Sequence, residues 1–469
     1  MLRPYCPSDD YVFIEASDLT GKNINVYALG NSELHKKYKN YYNGTLGLKF
    51  IPVTKESVED FYRLTYNPPT KMNSISDQIC LFGNPTRAEP DQVAAGIVGP
   101  AEVGLSTIGF GIARGVCWYQ STAEGATIYP SKSGSINNLP SYKHNRPIIM
   151  KKCNTLEVGC DTADSIGAEI LGWLTMNRWY DKSQLEDSVF QGKHQYLRER
   201  WKSGKREAGR FCYFFPELRK ERISLLVDAV KQGTDGVLIG CARQPPMMLY
   251  HPKMVEAYIK ETGINPMKLN YKTERAKIMA WAKWRAKYFT MVLEELKPQL
   301  KAINPDAVIA IRILAAGFDR NLLQGLDVKD WARKGLIDRI WLDPIADGST
   351  STERNVRPYI TLGRQFNIEI NGGIGRISYY AGRQSFLPPL KTTLGMIETG
   401  VDGIEYYETE NFACASQYKW WTPVYGNAKM MRYVLDETNI EACWPITSGN
   451  ACFIYDNHSF QYYFPNESL

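Results

Sequence analysis

GTDGVLIGCARQPP at residues 233–246, with a near echo in GVDGIEYYETE at residues 400–410, decides the fold class. In each copy an amphipathic run stops at a Gly suited to a left-handed helix cap. An Asp-Gly turn follows, then the apolar residues of a buried strand, then polar ones. That order is the αβ joint of a parallel sheet. Chemistry in such folds gathers just past the strand ends, which directs attention to residues 240–244 in one copy and 408–410 in the other.

The pattern recurs on both sides of the first copy. Upstream, a helix starting at Pro216 places Leu218, Ile223, Leu226 and Val230 near helical spacing before Gly233 stops it. Before it, AEILGWLTM at 168–176 reads as a strand ending in Asn177, Arg178, Trp179 and Tyr180, preceded by a helix over 157–165. A Gly-rich apolar run from Ser106, IGFGIARGVCWYQ, leads into a long polar loop. Downstream, helices are expected over 253–262 and 275–297, the second stopped by Pro298, with strands over 307–313, 338–343 and 366–371. The fold expected is α/β, a closed (β/α)8 TIM barrel. An open doubly wound sheet is the second choice, weakened because no strand is followed by a G-x-G-x-x-G turn.

The flanks read differently. Residues 1–95 carry short β-like runs broken by Gly, Asn and Pro, and predict a β-rich accessory region of sandwich type, with a turn-rich linker over 66–91. The barrel is then expected over 96–420, and 421–469 as a C-terminal extension packing on it. The net charge of +6 is spread without a block of like charge, so no nucleic-acid partner is expected. The ten Cys lack C-x-x-C spacing and the five His lack an H-E-x-x-H pattern, so neither a metal site nor a cofactor is expected. No run is long enough to span a bilayer and the start lacks a signal pattern, giving a soluble product, secreted or periplasmic if the N-terminus is truncated. Oligomeric state is not legible. The 29 Tyr and 11 Trp suit stacking on sugar rings as well as core packing.

Candidate site residues come from the strand ends. Asp343 closes the strand DRIWLD, and Glu408 follows the last strand, with Glu405 and Glu410 as reserves. Two carboxylates facing one cleft can divide glycosidic hydrolysis, one donating a proton and the other acting as nucleophile or base; loop caps or surface acids are the plainer alternative. In FNIEIN at 366–371, Phe366, Ile368 and Ile370 share one side and Asn367, Glu369 and Asn371 the other, so Glu369 is expected inside the barrel with Arg312 as partner. A buried structural pair is the alternative to a catalytic Glu369. Arg243, fixed by the prolines after it, suits binding of hydroxyls or a carboxylate. Asn177, Arg178, Trp341, Asn371 and Tyr407 add hydrogen bonds and stacking faces for a carbohydrate.

AEILGWLTMNRWY, FFPELRKERISLLVDAV followed by TDGVLIGCARQPP, and GVDGIEYYETE together resemble the glycosyl-hydrolase-like family 10 group of bacterial TIM-barrel proteins, over about residues 106–412. By that resemblance Arg243 falls on the family's arginine after strand four and Glu408 on its acidic position after strand eight. Where many relatives resemble D-x-x-R, this chain has Gly240 before Cys241, Ala242 and Arg243, so no strand-four carboxylate is present. The function expected is glycoside hydrolysis with Glu408, Asp343 and Glu369 as acids. The alternatives are a non-catalytic glycan-binding barrel and a sugar-acid isomerase or lyase built on Arg178, Arg243 and Arg312.

Overall fold

The structure, a computed structural model, describes residues 68–76, 89–129, 145–176, 188–242, 246–343, 351–375, 387–407, 409 and 424–435. Ten strands are described: β1 (Lys71–Ser76), β2 (Leu105–Ala113), β3 (Glu169–Thr175), β4 (Arg198–Arg200), β5 (Arg206–Phe211), β6 (Gly236–Gly240), β7 (Val308–Leu314), β8 (Arg339–Asp343), β9 (Glu369–Gly375) and β10 (Gly403–Tyr407). Eight of them close into an all-parallel barrel in the order β1-β10-β9-β8-β7-β6-β3-β2, while β4 and β5 form a separate antiparallel hairpin. This is the (β/α)8 architecture. Among the described residues no helix is long and apolar enough to cross a membrane.

The two joints that announced the fold behave as read, with one addition. Gly233 and Gly400 hold φ of +110° and +100°, conformations open to Gly and costly for other residues. The Asp after each does more than turn the chain. Asp235 accepts the Ile170 N–H of β3 at 2.8 Å, and Asp402 accepts the Ile370 N–H of β9 at 2.7 Å. Asp338 does the same for Ile309 of β7 at 2.8 Å. Each carboxylate thereby satisfies the first free donor of the neighbouring strand and fixes the stagger on which barrel closure depends.

Four sequence expectations are corrected. The barrel begins well before residue 96, because β1, placed in the expected linker, pairs with β2 on one side and β10 on the other. Its KMNSIS sequence lacks apolar alternation because Asn73 faces the polar lower interior, where its Nδ2 donates to Asn371 Oδ1 at 2.7 Å. The helix expected to stop at Pro298 runs as Arg275–Ile303. A helical Pro costs about 3 kcal/mol, and burial of Leu296 and Leu300 on the same stripe offsets it at about 1.5–3 kcal/mol each. Phe366 ends the helix Glu353–Phe366, and Asn367 is its left-handed cap, so the strand after it starts at Glu369. At the other end, helix Ala428–Leu435 packs beside helix Leu387–Thr399, with Gly426 O accepting the Thr70 N–H, so part of the expected C-terminal extension belongs to the barrel itself. Residues 1–67 lie outside the described residues.

The loop after β2 is tied down by one carboxylate. Asp228, on helix Pro216–Lys231, accepts from the hydroxyls of Tyr119 and Ser121 (2.7 Å each), from Thr122 N at 3.1 Å and its hydroxyl, and from Gln232 Nε2 at 3.0 Å. Burial alone would push its carboxyl up, but the donors from Thr122, Ser121 and Tyr119 hold it below the usual range. A lowered folded value means stabilisation that is complete above about pH 4, the unfolded Asp range, and lost as pH falls through the folded value. Asp228→Asn is expected to cost about 1–3 kcal/mol at neutral pH in urea titrations and to flatten this acid dependence.

Candidate active site

Inward-facing side chains fill the barrel in layers. At the N-terminal ends, Glu369 accepts from Lys71 Nζ at 3.1 Å and lies 3.2 Å from Arg339 Nε, while Arg339 also pairs with Glu169. Asn371 Nδ2 donates to Glu369 Oε1 at 2.9 Å. The sequence reading of Glu369 is thereby corrected in two respects: it points inward, but at the end of the barrel opposite the strand-end loops, and its partners are Lys71 and Arg339 rather than Arg312. Asn371 belongs to the same polar plug and sits where Gly403 leaves room, since a Cβ there would come within 2.3 Å of Asn371 Oδ1. Above the plug lies an apolar layer of Ile75, Leu171, Trp173, Leu238, Ala310, Trp341 and Tyr407.

A second charged cluster runs through this layer, from Glu405 in the middle of β10 to Asp343 at the end of β8. Arg312 of β7 places Nη1 2.8 Å from Asp343 Oδ2 of β8 and Nη2 2.7 Å from Glu405 Oε1 of β10, and its Nε also donates to Glu405 Oε1 at 2.9 Å. The guanidinium carbon stands 4.4 Å from the centroid of the Tyr407 ring. All three charged side chains are buried, with Arg312 1% exposed and Asp343 and Glu405 at 0%. Local sequence explains each position. Arg312 is the inward residue of VIAIRIL between outward Ile311 and Ile313, which pack in the main core. Asp343 ends RIWLD, and Glu405 is the middle residue of GIEYY.

Two acids around one cation leave an excess negative charge away from water. Burial pushes the Glu405 carboxyl up, Arg312 pulls it back, and the Asp343 charge raises it again, leaving it at about 7. Arg312 loses to burial but gains more from Asp343 and Glu405, and stays charged with its value raised. The cluster therefore holds a carboxyl that can be protonated near neutrality beside an acid that shares the same guanidinium. Glu405 Oε2 and the indole N–H groups of Trp173 and Trp341 are buried without a hydrogen-bond partner among the described residues. An acceptor and two donors are thus unmet within the barrel, at a cost of about 1–3 kcal/mol each. Among the described residues no group of three or more His, Cys, Asp or Glu side chains could hold a metal ion.

Of the residues singled out in the sequence, Arg312, Trp341, Asp343, Glu405 and Tyr407 are brought together here. Asn177, Arg178, Arg243 and Glu408, with the reserve Glu410, lie outside the described residues. Trp173 was missed because EILGWLT is apolar on both faces of the strand, so alternation does not separate inside from outside. The missing strand-four carboxylate has a steric counterpart. A Cβ on Gly240 would fall 2.7 Å from Trp173 Nε1 and 3.2 Å from Leu174 O, so the indole occupies the space a side chain would need. Gly240→Ala is expected to cost about 1–3 kcal/mol by overpacking, measurable as a lower denaturation midpoint, and Gly240→Asp no less.

The glycoside hydrolase domain of PgaB (BpsB) from Bordetella bronchiseptica is similar over 76% of this chain and 99% of its own, at 13% identity and TM-score 0.49. The catalytic domain of β-amylase from Paenibacillus polymyxa is similar over 78% of this chain and 99% of its own, at 7% identity and TM-score 0.47. For the endo-1,4-β-mannanase from Rhizomucor miehei the figures are 77%, 95%, 9% and 0.41. No curated protein sequence matches the chain. The profile of the family described as Glycosyl hydrolase-like 10 matches residues 117–354, a span that includes Trp173, Gly240, Arg312, Trp341 and Asp343. Covering more than half of the 469 residues, that match makes the chain a member of the glycosyl hydrolase-like 10 family.

Proposed function

We propose that the barrel hydrolyses glycosidic bonds, with Glu405 as proton donor and Asp343 as nucleophile or base. The observation that carries this reading is the pair of carboxylates sharing Arg312 inside the barrel, Asp343 at the end of β8 and Glu405 in the middle of β10, the latter raised to about 7. In the reaction, the protonated Glu405 gives its proton to the glycosidic oxygen as the C–O bond breaks. Asp343 attacks the sugar carbon or activates the water that does. Arg312 then stabilises the carboxylate that Glu405 becomes. Trp173, Trp341 and Tyr407 offer the indole donors and aromatic faces that a sugar ring requires. Glu408, the residue directly after β10, is retained as the further acid from that strand, and Asn177, Arg178 and Arg243 as substrate contacts.

Family membership supports the same reaction class, and a catalytic acid near neutrality predicts activity that falls as pH rises above about 7. Reducing-sugar release from a panel of polysaccharides, by the native protein and by Asp343→Asn, tests it. Release that the substitution abolishes supports hydrolysis. A second reading, glycan binding without cleavage, is favoured by Gly240 in place of a strand-four acid and by the complete burial of the cluster. It would be adopted if no polymer is cleaved while binding survives in both proteins.

A further inference from the structure

The β4–β5 hairpin is inserted between β3 and helix Pro216–Lys231, so it leaves the barrel at the same end as Asp343. It is held against residues that follow β6 at that end. Tyr250 N donates to Arg200 O at 3.0 Å, His251 Nε2 bonds Tyr196 O at 2.8 Å, and Lys202 Nζ donates to Leu269 O at 2.6 Å. Two backbone bonds of 2.8 Å, Trp201 N to Lys205 O and Gly204 N to Trp201 O, shape its tip.

Fixed in this way, the hairpin shows an unusual surface. Arg200 and Arg206 are direct cross-strand partners and so project from the same face, where like charges oppose each other at a cost in stability. Both are exposed, as is Lys205. The side-chain bonds of Arg200, Arg206 and Lys202 go to neutral oxygens of Gly204, Gln195 and Leu269; Glu274 feels the charge of Lys202, and no ion pair among the described residues joins a carboxylate to Arg200, Lys205 or Arg206. Aromatic rings accompany the charge. The exposed large aromatic side chains among the described residues are Tyr196 (57%), Trp201 (37%) and Tyr271 (54%). The first two belong to this insertion, and Tyr271 lies under it, with Lys202 Nζ 5.0 Å from its ring centroid.

We propose that this hairpin binds a polyanionic polysaccharide, with acidic groups on Arg200, Lys205 and Arg206 and sugar rings on Trp201 and Tyr271. Guanidinium and ammonium groups meet carboxylate or sulfate, and flat exposed rings meet pyranose faces. The inference rests on the glycoside-hydrolase reading for its choice of a glycan over other polyanions: a surface on the same end of the barrel as Asp343 would hold an acidic chain on that side. Carboxylated and sulfated glycans share the chemistry required.

The test is binding of the full chain, by calorimetry and affinity electrophoresis, to polygalacturonate, dextran sulfate and neutral dextran. Poly(U) RNA and phosphatidylserine vesicles serve as non-glycan polyanions. The same measurements are made on Lys205→Glu/Arg206→Glu and on Trp201→Ala. The result expected is binding to polygalacturonate or dextran sulfate but not to neutral dextran, weakened at least about tenfold in either variant and falling with added salt. Which acidic polymer binds identifies the acidic group. Unchanged binding in both variants, or tighter binding to RNA or vesicles than to both acidic glycans, overturns the proposal. Acidic-glycan binding that depends on the hairpin without cleavage would sink hydrolysis and leave this surface standing. Cleavage of an acidic polymer with KM unaltered in both variants would do the reverse.

Discussion

Glu405→Gln is expected to lower kcat by about 10²–10⁴-fold, the range a positioned general acid contributes, with KM little changed. Gln keeps the shape and can still accept a hydrogen bond from Arg312, but it has no acidic proton to give the leaving oxygen. Because burial and Asp343 raise the native carboxyl to about 7, the wild-type rate should fall above that pH as the acid ionises. The variant should lose this limb along with its rate. Initial rates of reducing-sugar release from pH 4 to 9, on the best substrate of the panel, measure both effects. Retention of the alkaline limb in Glu405→Gln would transfer the acid role elsewhere, with Glu408 first in line.

Arg312→Met is expected to destabilise the fold by about 3–5 kcal/mol, the cost of breaking a buried pair by removing one partner. Without the guanidinium, Asp343 and Glu405 are left buried beside apolar residues with no cation between them. Removing the group that pulls Glu405 down pushes its carboxyl above 7. A raised folded value means stability that is present at low pH and lost as pH rises through it, so the deficit should be larger at pH 8 than at pH 5 in urea titrations. Arg312→Lys should recover little, since one ammonium cannot reproduce contacts made by Nη1 to one acid and by Nη2 and Nε to the other. A stable, pH-independent Arg312→Met would show that the pair contributes no net stability.

The two predictions separate a catalytic from a structural cluster. A cluster retained only for packing would give the stability loss of Arg312→Met and no rate loss in Glu405→Gln. A catalytic one gives both.

The sequence by itself determined the barrel. Helix stops at Gly233 and Gly400, the Asp after each, and apolar runs of strand length are local features, fixed by φ, by hydrogen-bond satisfaction and by burial on both faces of a parallel strand. For the same reason Asp343 at the end of β8 was legible, as was the absence of a side chain at Gly240. Local pattern failed where the environment is set by distant chain. β1 looked like a linker because the partners of Lys71 and Asn73 come from β9, more than 290 positions away, and its backbone pairs with β10. Glu369 was correctly turned inward, yet which end of the barrel it serves depends on where the strand starts, and the left-handed cap at Asn367 moved that start. Only the tertiary structure decided which charges meet. Two strands separate β7 from β10 in the barrel, and Arg312 reaches Glu405 across the interior because closure and stagger bring the two to one level. That is a property of the closed ring of strands, which no single segment contains.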